Sequence, residues 1–162
     1  MDPGAGADGD PGPARAGCAS RRRNGCCALL DPLSWPKWSR IDALEAAESR
    51  DLSPDGRDGV GATRAFRTGK VVTKERITGL EPVHRFRYEG VQIAQMSQYQ
   101  ATIELHELPG GGTRIHWHGT YVGRRGTRRL FQWYLRRFMR AMAVGLAEYA
   151  GRTREIDEAV RE

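Results

Sequence analysis

A chain of 162 residues suits one domain with a genuine hydrophobic core. Its net charge of +6 and pI near 9.6 come from arginine, because lysine occurs only at Lys37, Lys70 and Lys74. An arginine excess with abundant Ala and Gly is what a high-GC bacterial genome produces, so basicity alone does not call for nucleic acid, and none is expected as a partner.

Residues 1–25 include the run PGAGADGDPGPARAG. They offer too little apolar area to offset the entropy of ordering and read as a disordered low-complexity segment. The start lacks the basic-then-apolar layout of a secretory signal. No apolar run anywhere approaches the roughly 18 residues that cross a membrane, and a cytoplasmic protein is expected. Cys18, Cys26 and Cys27 are odd in number and lack CxxC spacing, which argues against a zinc site or a disulfide framework. Cys26 to Asp31 reads as the end of a short helix stopped by Pro32. The prolines of Asp31-Pro-Leu-Ser-Trp-Pro-Lys-Trp38 predict a rigid loop carrying two tryptophans. Ile41 to Glu48 reads as a weak strand and Ser49 to Gly61 as a Gly/Asp/Pro loop.

Ala62 to Thr68 and Val71 to Leu80 flank Gly69-Lys70, a two-residue connection with Gly first, as a type II′ turn prefers. That register sets Thr68 opposite Val71, Phe66 opposite Thr73 and Arg64 opposite Glu75. Residues directly opposite share a face. One face then carries Arg64, Phe66, Val71, Thr73, Glu75 and Ile77, apolar but for one Arg and one Glu. The strand His84 to Val91 turns Phe86 and Tyr88 inward. Ser97 to Leu108 turns Tyr99, Ala101, Ile103 and Leu105 the same way, and Thr113 to Val122 presents Ile115 and Trp117. In Arg128 to Ala150, Phe131, Leu135, Phe138, Met142, Leu146 and Tyr149 recur at steps of three and four on one helical face. Trp133 and Tyr134 widen that stripe. Thr127 offers an N-cap and Gly151 a stop, which leaves 152–162 as a polar tail. Successive hairpins followed by one long helix indicate an α+β helix-grip architecture: a curved antiparallel β-sheet wrapped around a long C-terminal α-helix.

The ordered pieces DPxxWPxW, GVGATRxFRTG, LEPxxRFxY and GGGTRIxWH, followed by the long helix, resemble the START/Bet v 1-like superfamily. More narrowly, they resemble bacterial polyketide cyclase/dehydrase-like (SRPBCC) proteins. The resemblance covers residues 26–151 and implies a START-like helix-grip domain with a cavity between sheet and helix. It further implies an apolar small-molecule partner: a lipid, polyketide, sterol or quinone. It carries over no catalytic residue. The sequence departs from the pattern at AGCASRRRNGCCALL, where members usually carry a first β-strand. A missing strand would leave a sheet edge and part of the cavity wall uncovered.

With such a cavity, the ligand-facing set is Arg64, Phe66, Thr73, Glu75, Phe86, Tyr88, Tyr99 and Trp117 from the sheet, with Phe138 and Met142 from the helix. Arg64 and Glu75 are the candidates for chemistry: Glu75 as a base or hydroxyl acceptor, Arg64 polarising a carbonyl. The alternative for this pair is a structural ion pair at the rim. Tyr88 and Tyr99 either present phenols to a ligand or pack as wall. His116 and His118, two apart on one strand, have ligand-bearing side chains but no carboxylate or third histidine close in sequence, so no metal is expected. The Gly110–Gly112 run lacks the following Lys-Ser/Thr of a phosphate loop, and no cofactor is expected. Three functions fit: binding an apolar ligand, a polyketide cyclase/dehydratase-type reaction on such a ligand, and peripheral contact of the helix arginines with anionic membrane. The sequence does not choose between binder and enzyme, and it sets no oligomeric state.

Overall fold

The computed structural model describes residues 21–93, 96–109, 112–123 and 128–159. Helix α1 (Arg21–Leu30) runs into a 3-10 turn (Pro32–Ser34) and the short helix α2 (Trp35–Trp38). Then come β1 (Ala43–Leu44), β2 (Thr63–Thr68), β3 (Val71–Glu81), β4 (Arg85–Gln92), β5 (Met96–Leu108), β6 (Gly112–Gly123) and α3 (Arg128–Ala159). The strands form one six-stranded antiparallel sheet in the order of the chain, β1 to β6.

The β2–β3 hairpin has the expected register, Thr68 opposite Val71, Phe66 opposite Thr73 and Arg64 opposite Glu75. Gly69 has φ +59, and Lys70 is not among the positive-φ residues, as a type II′ turn requires. Irregularities between Lys74 and Glu75, between Ile77 and Gly79, and between Ser97 and Gln100 bend the longer strands. Bulges of this kind curl a sheet into a cup. β6 is one edge; among the described residues no strand pairs with its outer side.

Several local expectations change. Pro32 and Pro36 lie in first-turn helical positions, where a missing N–H costs nothing, and Asp31 caps the turn by accepting from the Leu33 N–H at 2.9 Å. The tryptophan segment is therefore helical, not a loop. Of Ile41 to Glu48 only Ala43–Leu44 pairs as strand, and Ala46–Glu48 turns as 3-10. Helix α3 runs through Gly151 to Ala159, because helix-forming residues and no proline follow that glycine. The proposed Thr127 cap and the 110–111 turn lie outside the described residues. Cys26 is a free thiol, whereas Cys27 is disulfide-bonded, contrary to the expectation from cysteine spacing.

The core fills the concave side of the sheet: Phe66, Ile77, Phe86, Ile103 and Leu105 meet Met142 and Leu146 of α3 and Leu29 of α1. Helix α3 lies closely over α2. A Cβ on Gly145 would collide with the Trp38 carbonyl oxygen, so glycine is required there by space. Buried among these groups is a clasp built on Arg64, which is 1% exposed, as is Asp58. Arg64 donates from Nε to Asp58 Oδ2 at 2.8 Å, from Nη1 to the Leu29 carbonyl at 2.7 Å and from Nη2 to the Leu30 carbonyl. It thereby satisfies the last carbonyls of α1 at the negative end of the helix dipole. Its guanidinium also lies over the Trp35 and Phe86 rings, 5.8 and 5.4 Å from their centroids.

Two outcomes follow from this packing. Gly145→Ala should destabilise the fold by about 1–3 kcal/mol through overpacking against Trp38, read as a lower urea midpoint. Asp58→Ala should cost about 3–5 kcal/mol by stranding a buried guanidinium. The double variant Asp58→Leu/Arg64→Met should then be more stable than Asp58→Ala alone.

Candidate functional site

Between the concave face and α3 lies a cavity of about 420 Å³, within the range of small-molecule sites. Trp35 and Ile41 line it from the N-terminal segments, Tyr88, Tyr99 and Trp117 from the sheet, and Phe138, Met139 and Met142 from α3. Such walls recognise shape and apolar surface. Polarity is confined to Thr68, Thr73 and Glu75 on the β2–β3 hairpin, to the hydroxyls of Tyr88, Tyr99 and Tyr134, and to the indole nitrogens.

Glu75 has no hydrogen bond or ion pair among the described residues. Its register neighbour Arg64 points its donors at Asp58 and α1 instead, and influences Glu75 only through its charge. Gly90 stands opposite Glu75 on β4, and the space a side chain there would take is filled by the apolar Ile93. Burial in these apolar surroundings pushes its pKa up to about 7, against the weaker opposing pull of Arg64. Glu75 is thus a carboxyl poised near neutrality inside an apolar cavity.

Beside it runs a line of hydrogen-bonding groups. Trp117 Nε1 donates to the Tyr88 hydroxyl at 3.2 Å, the Tyr88 and Tyr99 hydroxyls share a 3.1 Å bond, and Tyr99 faces Met139 Sδ at 4.0 Å. Taken in that order, every hydroxyl has a partner. Burial raises both phenol pKa values, with the Glu75 charge adding to the effect, so both remain protonated donors at neutral pH.

Of the ten residues expected to face a ligand, Thr73, Glu75, Tyr88, Tyr99, Trp117, Phe138 and Met142 line this cavity. Arg64, Phe66 and Phe86 stand outside its lining, in the core around the clasp. Phe66 stacks on Trp35 with centroids 5.0 Å apart, and so acts through the wall rather than on its surface. Trp35 is itself buried and donates to the Leu29 carbonyl at 3.3 Å, so it is a fixed wall. Sequence reasoning missed Ile93, Met96 and Met139, whose only signal was apolar character near a strand end or beside the helical stripe. It also placed Trp133 and Tyr134 on the apolar stripe. Trp133 is exposed at 62%, whereas Tyr134, though half exposed, lines the cavity and stacks on Phe138 with centroids 6.2 Å apart. Arg136, Arg137 and Arg140 are also exposed on α3.

A second groove, about 510 Å³, runs along the free edge of β6 beneath Leu135, Arg136, Met139 and Arg140. Tyr99, Trp117, Leu135 and Met139 line both spaces and separate them. On the outer face of the sheet, Glu104, His116 and His118 bring potential metal-ligand atoms within 4.8 Å of one another. The register places Glu104 directly opposite His116, supplying the carboxylate that is absent close by in sequence. No described helix is long and apolar enough to cross a membrane.

The family model described as polyketide cyclase / dehydrase and lipid transport matches residues 28–151. Among solved structures, the fold is similar to that of a Thermobifida fusca protein, with TM-score 0.61 and 20% identity over 83% of this chain and 88% of that one. It is similar to a START superfamily protein from Mycobacterium smegmatis, with TM-score 0.59 and 11% identity over 80% and 92% of the two chains. It is also similar to the di-domain ARO/CYC StfQ of the steffimycin biosynthetic pathway, with TM-score 0.60 and 13% identity over 88% of this chain and 49% of that one. At such identities these structures speak for the fold alone. No curated protein matches the chain. A curved six-stranded sheet closed by a long C-terminal helix, matched by the family model over most of its length, places this chain in the polyketide cyclase/dehydrase and lipid transport family.

Proposed function

We propose that this chain binds an apolar small molecule of lipid or polyketide type in the cavity beneath α3, with a hydroxyl or carbonyl of that molecule against Glu75. The observation that carries this reading is the unpartnered Glu75 carboxyl in an otherwise apolar, aromatic cavity. A buried polar group without a partner is costly, and a ligand hydroxyl is the partner such a site accepts. The family's description, which names both cyclases and lipid transport, fits the same chemistry.

A second reading, catalysis of the cyclase/dehydratase kind, is favoured by the Glu75 pKa near 7. A carboxylate so tuned suits proton abstraction beside a carbonyl, with Tyr88 or Tyr99 donating to the developing enolate oxygen. Arg64 takes no part in it, since each of its three nitrogens already donates to Asp58 or α1. Peripheral membrane contact through Arg136 and Arg137 would show as salt-sensitive binding to anionic vesicles.

Native mass spectrometry of the purified chain, before and after denaturation, should reveal an apolar adduct released on unfolding. Thr73→Trp, which fills the cavity, should weaken binding of a fluorescent fatty acid or an aromatic polyketide by about tenfold or more. Equal binding by a folded Thr73→Trp would reject the cavity as the site. Glu75→Gln should leave binding within about threefold yet abolish turnover if the chain is an enzyme.

Glu75 also gives a pH signature. Its pKa is about 7 in the fold against an ordinary 4.5, so between those values the folded state holds a proton that the unfolded chain has released. The Glu75 contribution to stability is therefore full below 4.5 and is lost as pH rises through 7. The decline is at most about 3 kcal/mol, less where cavity water solvates the group. Urea midpoints from about pH 5 to about pH 8 should fall for the wild type and flatten in Glu75→Gln.

A further inference from the structure

The outer face of β5 and β6 carries three of the chain's four histidines, at 106, 116 and 118, around a single carboxylate. Alternation along each strand puts Glu104 and His106 of β5 on the same face as His116 and His118 of β6. Glu104 Oε2 lies 3.3 Å from His116 Nδ1 and 3.4 Å from His106 Nε2, and the His116 and His118 rings stack with centroids 4.7 Å apart. The ligand atoms of Glu104, His116 and His118 all lie within 4.8 Å of one another. The 3.3 Å between Glu104 and His116 is close to the edge of a tetrahedron built on metal–ligand bonds of about 2.0–2.1 Å.

We propose that Glu104, His116 and His118 form a surface site for a divalent transition-metal ion of the zinc or copper class. Imidazole nitrogens with one carboxylate oxygen suit those ions rather than magnesium or calcium. Arg85 Nε lies 3.3 Å from Oε1 of Glu104, which orients the carboxylate so that Oε2 faces the histidines, as outer-sphere partners of metal ligands do. His106 sits on the other side of Oε2 and holds it in place. The histidines are exposed, so rings can turn and water can complete the coordination. Bound there, the ion joins β5 to the unpaired edge strand β6, on the sheet face opposite the cavity.

The test is calorimetric titration of zinc chloride into the full chain with the Cys26 thiol blocked by iodoacetamide. One ion should bind per chain. His116→Asn and His118→Asn should each weaken binding by about tenfold or more, and His84→Asn, outside the cluster, should not. Zinc should also raise the Tm of the wild type but not of His118→Asn. Copper should compete with zinc for the same ligands. Absence of saturable binding, or equal zinc affinity in the wild type and both folded histidine variants, overturns the site.

Discussion

The buried guanidinium of Arg64 is the constraint on which the rest of the fold depends. Taking an arginine out of water costs several kcal/mol unless its donors and charge are met. Here Asp58, two helix-end carbonyls and two aromatic faces meet them together. Those partners come from four separate segments: the 49–61 loop, the end of α1, Trp35 of α2 and Phe86 of β4. Satisfying one side chain therefore fixes where α1 stops and where the tryptophan segment begins. Trp35 then lies on Phe66 and forms part of the cavity wall. The wall facing a ligand is thus positioned by an ion pair that does not line the cavity.

The same clasp decides the chemistry inside the cup. Glu75 stands opposite Arg64 in the hairpin register, and a shared face suggests a pair. The longer reach of arginine carries its charge to Asp58 and the α1 carbonyls, leaving Glu75 with field but no hydrogen bond. Arg64 moderates the Glu75 pKa while burial raises it, and the balance lies near neutrality. Had the two closed an ion pair, Glu75 would be an ordinary low-pKa carboxylate and the cavity would lack a reactive or receptive group.

What was legible in the sequence follows from which signals are local. The β2–β3 register could be read because Gly69-Lys70 dictates the turn and alternation dictates the faces. The inward aromatics of β4 and β5 and the Met142 and Leu146 stripe could be read from period alone. The partner of Arg64 could not. Asp58 sits in an aperiodic loop, and only the folded path of 49–61 brings it under β2. Glu104 escaped for a related reason: it is twelve positions from His116, and only the strand register makes them neighbours. Trp133 was misplaced because hydrophobicity widens a stripe on paper but does not say which of its flanking residues meets a partner surface. The tryptophan segment was misread because proline breaks a helix interior yet suits its first turn.

The two faces of the sheet divide the protein's chemistry. Outward-facing pairs such as Arg67–Glu45, Arg76–Glu89 and Arg85–Glu81 are exposed, and each adds little to stability. Their effect is to keep that surface wetted, while the concave face offers an apolar space of ligand size. Within that space a leucine at position 75 would pack more favourably than a carboxyl held near neutrality. A polar group that breaks the local rule of its surroundings marks a position shaped by something other than folding. On the proposed function, the group that restores the balance in this apolar cavity is one the chain does not itself contain: the polar end of an apolar ligand.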